Sequence, residues 1–160
     1  MSLTMKAVAF TNGGEIPRRF TCDGADISPA LMWSGVSPAA RALALIVDDP
    51  DAPRGTWTHW LVWNLPPYVT ALPERVPARD VLENGARQGR NDFDRIGYGG
   101  PCPPPGKTHR YFFRLLVLDA MLDLPAAARR KELDRAMKGH VVAEAQWMGL
   151  YGNGNAGSRR

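Results

Sequence analysis

The chain has 160 residues, 44% hydrophobic and 22% charged, with 20 Lys and Arg against 16 Asp and Glu for a net charge of +4 at neutral pH. That is the size and balance of one globular domain with its own core, and it argues against wholesale disorder. The basic excess is scattered, apart from Arg129-Arg130-Lys131 and Arg159-Arg160, so no concentrated stripe points to nucleic acid; nor does any apolar run approach the ~20 residues of a membrane-spanning helix.

The opening MSLTMKAVAF lacks the long apolar core of a secretory signal. Residues 1–5 are read as a leader candidate ahead of a natural start at Met5, and the expected location is the cytoplasm. Lys6 to Phe10 reads as a short strand. Residues 12–29 form a Gly-, Pro- and Asp-rich connection, and Leu31 to Trp33 a brief strand. Ala42 to Asp48, ALALIVD, is a continuous apolar run bounded by turns, the pattern of a buried strand. Trp57 to Asn64, WTHWLVWN, is aromatic and β-branched and also favours a strand. Pro66-Pro67 ends it, because proline cannot donate to a ladder. Residues 67–108 carry no long periodic segment, and loops of that length in a compact domain are usually functional. Arg110 to Leu118, RYFFRLLVL, is a further strand.

After Pro125 the composition changes. Ala126 to Lys138 has helix formers and near-helical apolar spacing, and Gly139 interrupts it. His140 to Leu150 is read as a second helix, with Val141, Ala145 and Met148 on one face. A single domain is expected over 6–151 and a flexible tail over 152–160. Strands first and helices last predict an α+β, mainly β architecture with an antiparallel or mixed sheet.

Four features invite chemistry. Gly152-Asn153-Gly154-Asn155-Ala156-Gly157 matches G-x-G-x-x-G but lacks the strand before and helix after that a dinucleotide site needs. Asp48-Asp49-Pro50-Asp51-Ala52-Pro53 crowds three carboxylates at a strand end, and the prolines hold Asp49 and Ala52 extended. It lacks the EF-hand spacing and the distal Glu. His59 lies inside an aromatic strand, where alternation puts Trp57, His59 and Leu61 on one face and Thr58, Trp60 and Val62 on the other. Residues 97–111, GYGGPCPPPGKTHRY, form a stiff Gly-Pro loop opening onto His109-Arg110-Tyr111; glycines let a backbone approach a ligand and aim its N–H groups. Cys22 and Cys102 belong to no Cys-x-x-Cys pair. Two free thiols are expected, with a disulfide as the alternative if their turn-rich segments meet.

Taken together, DDPDAP at 48–53, WTHWLVWN at 57–64 and the 97–111 segment resemble the signature of the phosphatidylethanolamine-binding protein family, also called the Raf kinase inhibitor family. ISPALMW at 27–33, NDFDRIGYGGPCPPPG at 91–106 and KGHVVAEAQWMGLYG at 138–152 resemble its bacterial and archaeal branch. The resemblance spans about Met5 to Gly152. It implies two antiparallel β-sheets, the larger one central, with C-terminal helices. It also implies a shallow pocket for phosphate, a carboxylate or a phosphorylated head group, with Asp49, Asp51, His59, Gly99, Gly100, Pro101, His109 and Tyr111 as ligand-binding residues. Eukaryotic members end in a helix that partly closes the pocket. Here a different, Gly-rich tail stands in its place, which argues against an inherited Raf-inhibiting role.

An ionised Asp49 is only an acceptor, so its expected role is to hold a histidine in the charged, two-donor form. His59 and His109 would then donate to the anion, with loop N–H groups and the Tyr111 hydroxyl completing the shell. Arg110, on the opposite side of its strand from His109 and Tyr111, is expected to pair with a carboxylate of the 48–51 turn. Competing readings are an inhibitor of a kinase or protease acting through the surface of residues 67–108, and, less favoured, a hydrolase or a two-His-one-carboxylate metal enzyme. The expectation is a non-enzymatic binding protein, possessing no catalytic or metal-ligating residues and no cofactor. A homodimer through exposed aromatics such as Trp147 is an open alternative.

Overall fold

The computed structural model describes residues 2–152. Among these residues, eight strands form two antiparallel sheets. The smaller sheet is made of β1 (Thr4–Ala7), β2 (Leu31–Ser34) and β5 (Ala71–Leu72), in the order β1-β2-β5. The larger contains β3 (Ala42–Asp49), β4 (Trp57–Leu65), β6 (Arg87–Gln88), β7 (Thr108–Leu118) and β8 (Val141–Gly152), in the order β6-β4-β3-β7-β8. One α-helix, α1 (Arg130–Met137), lies between β7 and β8.

Central position explains the apolar run of β3, whose eight residues are all buried. Leu43, Leu45 and Val47 face the smaller sheet and join Met5, Leu31, Trp33, Trp60, Phe113 and Leu115 in one core. Ala42, Ala44 and Ile46 face the other way and pack with Leu61, Trp63 and Leu116 beneath Leu133 and Met137 of α1. Each fully buried Leu or Phe contributes ~1.5–3 kcal/mol, and the two faces of β3 differ in side-chain size, which fits them to different cores.

The five strands predicted from the sequence appear within a few residues of their expected limits, and α1 occupies the second part of the predicted 126–138 helix. Two expectations are corrected. Residues 140–150 are not helical: β8 pairs with β7 from Thr108↔Gly152 to Leu118↔Val141. Its operative period is two, with Ala143, Ala145, Trp147 and Tyr151 turned to the core and Glu144 and Gln146 between them; tertiary pairing overrides the helix propensity of Ala, Glu and Met. Gly149 belongs to the same alternation, since a Cβ there would sit 2.4 Å from Ile16 Cγ1 and 2.6 Å from Phe10 Cε2. The second correction concerns the cysteines: Cys22 and Cys102 form a disulfide.

At the N-terminus, Thr4 and Met5, assigned to a leader candidate, lie in β1 opposite Ser34 and Trp33. Of the expected tail, Gly152 closes β8 and 153–160 lie outside the described residues. No helix among the described residues is long and apolar enough to cross a membrane.

Candidate functional site

At one end of the larger sheet, β3, β4 and β7 meet the loop 97–107 around a cavity of about 210 Å³. The β3–β4 ladder sets its chemistry. Val47 is opposite Trp60 and Asp48 opposite Thr58, which leaves His59 as an extra residue in β4. Such a bulge re-aims a side chain. Strict alternation would place His59 with Leu61; instead Leu61 packs toward α1, while His59 stands edge-on to Tyr111 at 5.2 Å between ring centroids. Thr58 is displaced to the α1 side, where its hydroxyl is 3.4 Å from Arg130 Nη1. Thus Trp57, His59, Asp49, His109 and Tyr111 line one cavity, and Leu61 leaves the face assigned to it.

The crowded carboxylates of residues 48–51 are separated by strand parity, each taking its own partners. Asp48 points to the α1 face and binds Arg114 Nη2 at 3.0 Å and Arg130 Nη1 at 3.1 Å. Asp49 points to the cavity face and accepts His109 Nδ1–H at 2.6 Å through Oδ2; its Oδ1 accepts the Asp51 N–H at 2.7 Å. Asp51 takes Arg110 in a two-pronged pair, with Nε to Oδ2 at 2.9 Å and Nη2 to Oδ1 at 2.8 Å. That guanidinium holds the Asp51 carboxyl down at about 2. Arg110 therefore has the structural role expected of it, and Asp51, a predicted ligand residue, lies outside the cavity lining.

The Gly-Pro loop acts from behind the wall. Gly99 and His59 exchange two hydrogen bonds: the Gly99 N–H donates to the His59 carbonyl at 2.9 Å, and His59 Nδ1–H donates to the Gly99 carbonyl at 2.6 Å. Gly100 gives its N–H to Asp26 Oδ1 at 2.7 Å, and a Cβ there would lie 2.2 Å from the Phe20 carbonyl oxygen. Pro101 accepts the Cys22 N–H at 3.0 Å. These residues approach other parts of the protein, and the N–H groups of Gly99 and Gly100 are already used. This corrects their expected role as donors to an anion. The wall itself is made by Cys102, Pro103 and Pro104.

Sequence reasoning passed over Ala52, Pro53, Phe93, Pro103 and Pro104, all of which line the cavity. Phe93 contacts both Trp57 and His59 at 5.4 Å between centroids. It is held there because fully buried Asn91 caps its own loop, accepting the N–H groups of Phe93 and Arg95 and donating to the Gly97 carbonyl. A lone aromatic beside an Asn in a polar segment was the available signal.

Among the described residues lining the cavity, none is Lys or Arg. Any positive charge in the lining has to come from imidazole, Trp57 and Tyr111 being neutral donors of the same wall; each ring is anchored through Nδ1, so the ring nitrogen left for a ligand is Nε2. Burial pushes the His59 pKa below its ordinary value of 6.5, opposed by the hydrogen bond to Gly99 and by the charges of Asp49, Asp92 and Asp26. The expectation of two standing imidazolium donors is thus modified at His59, which favours the neutral ring in the empty cavity.

Comparison with known proteins gives concordant results. The family model for phosphatidylethanolamine-binding protein matches residues 6–152. A UPF0098 protein of Methanothermobacter thermautotrophicus is 52% identical over 152 residues, covering 95% of this chain and all of that protein. Another UPF0098 protein, from Aquifex aeolicus, is 48% identical over 89% of this chain and 84% of its own length. Among solved structures, a phosphatidylethanolamine-binding protein homolog of Chlamydia trachomatis superposes with a TM-score of 0.85 at 39% identity, covering 94% of this chain and 97% of its own. E. coli YbcL, described as a new member of the mammalian family, superposes with a TM-score of 0.88 at 33% identity over 95% of this chain and 99% of its own.

Proposed function

We propose that this chain, which belongs to the phosphatidylethanolamine-binding protein family, binds a small anionic ligand, a phosphate or carboxylate group, in the cavity between β3, β4, β7 and the 97–107 loop. The observation that carries the reading is the pair of buried imidazoles, His59 and His109, each anchored through Nδ1 with Nε2 left for a ligand. An anion entering the cavity supplies the negative charge that burial of His59 lacks, so binding takes up a proton there. The apolar rim of Pro53, Trp57, Phe93 and Pro104 accepts the carbon substituent of an organic phosphate or acid.

The pH dependence follows in sign. A ring whose pKa is depressed in the empty site and raised by the anion makes affinity fall as pH rises. Calorimetric titration with inorganic phosphate from about pH 5 to about pH 8, in buffers of different ionisation enthalpy, should show weakening affinity together with proton uptake. Affinity that is constant over this range, or binding that survives His59→Asn and His109→Asn together, would overturn the reading.

A further inference from the structure

The two cavity histidines are anchored to different partners, and the difference divides their chemistry. His59 gives Nδ1–H to the Gly99 carbonyl at 2.6 Å. A carbonyl oxygen only accepts, so this bond fixes the tautomer that leaves the lone pair on Nε2. His109 instead gives Nδ1–H to the Asp49 carboxylate at 2.6 Å, a partner that would balance a positive charge on that ring when an anion is bound. The cavity therefore sets an Nε2 lone pair on one ring beside a second ring that is backed by a carboxylate. Its volume of about 210 Å³ exceeds that of a phosphoryl group, and Trp57, Phe93, Pro103 and Pro104 give it an apolar wall.

We propose that His59 Nε2 is a phosphoryl-acceptor site, forming a phosphohistidine when an acyl phosphate occupies the cavity. This rests on the anion-binding reading of the same cavity. In the step, the Nε2 lone pair forms an N–P bond, the P–O bond to the acyl group breaks, and the carboxylate leaves with the electron pair. A neutral ring and a dianionic acyl phosphate become a cationic ring bearing a dianionic phosphoryl group, plus a carboxylate of single charge, so charge balances with no proton transferred. Nδ1–H stays on the Gly99 carbonyl throughout. Burial, which keeps the ring unprotonated before the step, is countered after it by the phosphoryl oxygens and by the nearby Asp49, Asp92 and Asp26. His109 Nε2–H donates to a phosphoryl oxygen as the bond forms. Asp49 acts through His109, both of its oxygens being engaged.

The test is incubation of the full chain with acetyl phosphate, read by intact-mass spectrometry and by phosphorus NMR. The expected product is one phosphoryl group per chain, with an N–P resonance, stable in alkali, lost in acid and mapped to the peptide carrying His59. His59→Gln, which removes the ring nucleophile, is expected to lose the adduct. Shifts of the two ring signals on addition of inorganic phosphate report binding separately. Phosphate binding without an N–P species in the unaltered chain overturns the phosphoryl-acceptor role and leaves the binding reading standing. An adduct mapped to His109, or one that persists in His59→Gln, also overturns it. Absence of any phosphate binding removes both.

Discussion

Removing the Cys22–Cys102 bridge gives the most quantitative expectation of the structure. The two residues are 80 apart in sequence. Loop-closure entropy for that length corresponds to ~4.5 kcal/mol at 25 °C in the chain-entropy treatment. In the folded state the bridged loop has further anchors: Cys22 N–H to the Pro101 carbonyl, Gly100 N–H to Asp26 and the Gly99–His59 pair. These hold the loop when the bridge is opened, so the change falls mainly on the unfolded chain. The double substitution Cys22→Ser, Cys102→Ser is expected to lose ~3–4.5 kcal/mol, a large part of the ~5–15 kcal/mol typical of a domain. Urea denaturation of the two forms measures it, and the reductant-treated natural chain should match the variant. Because Cys102 begins the Pro103–Pro104 wall, phosphate affinity is expected to drop by only a few-fold, about 0.5–1 kcal/mol. A stability difference under ~1 kcal/mol would refute the reasoning, since it would mean that no entropy is withheld from the unfolded chain by this link.

Three further expectations concern charge. Asp49→Asn keeps an acceptor for His109 Nδ1–H but replaces a charge-assisted bond by a neutral one, a difference of ~1–1.5 kcal/mol; phosphate affinity near neutral pH should fall about tenfold by calorimetry. Asp48→Ala removes the carboxylate shared by Arg114 and Arg130, each about a quarter exposed, leaving Arg130 its pair with Asp134 and Arg114 its bond to Gln146; it should cost ~1–3 kcal/mol in denaturation, yet leave phosphate affinity unchanged because Asp48 faces α1. Stability should also depend on pH in two windows. The folded-state pKa of His59 is depressed, so below about pH 6.5 the unfolded chain binds a proton that the folded chain resists, and stability falls with acidification. Saturating phosphate should shrink that loss. The Asp51 carboxyl, held at about 2 against an ordinary 3.8, adds stability above its unfolded pKa that is lost as pH falls from about 4 toward 2. Denaturation midpoints over a pH series, with His59→Gln and Asp51→Asn as controls, separate the two windows.

What the sequence made legible was the sheet's interior. ALALIVD and RYFFRLLVL announce buried strands because a strand covered on both faces needs no polar alternation. β8 was not legible in this way: its core-facing set includes Ala143, Ala145 and Gly149, small residues that scarcely register as apolar period two, and only the facing edge of β7 gives them a strand to pair with. The glycines of the 97–106 loop show a related limit. A glycine in sequence signals a close approach without naming what is approached, and here Gly99 and Gly100 admit Phe93, Phe20 and Asp26.

The placement of His59 depends on counting, and one bulge changes the count. Sequence alternation alone groups His59 with Leu61; the extra residue between the Val47–Trp60 and Asp48–Thr58 pairs turns it to the side of Tyr111. The same parity decides which of the adjacent carboxylates serves the cavity. Asp48 and Asp49 are chemically identical, yet one is directed to two arginines and the other to an imidazole. A register slip of one residue in β3 would exchange them, placing Asp49 against Arg114 and Arg130 and depriving His109 of its carboxylate. The long apolar strand that reads in the sequence as mere core is therefore what selects the charge partner of the site, because its two faces differ in size, Leu43, Leu45 and Val47 against Ala42, Ala44 and Ile46, and a slip would press each set into the core shaped for the other.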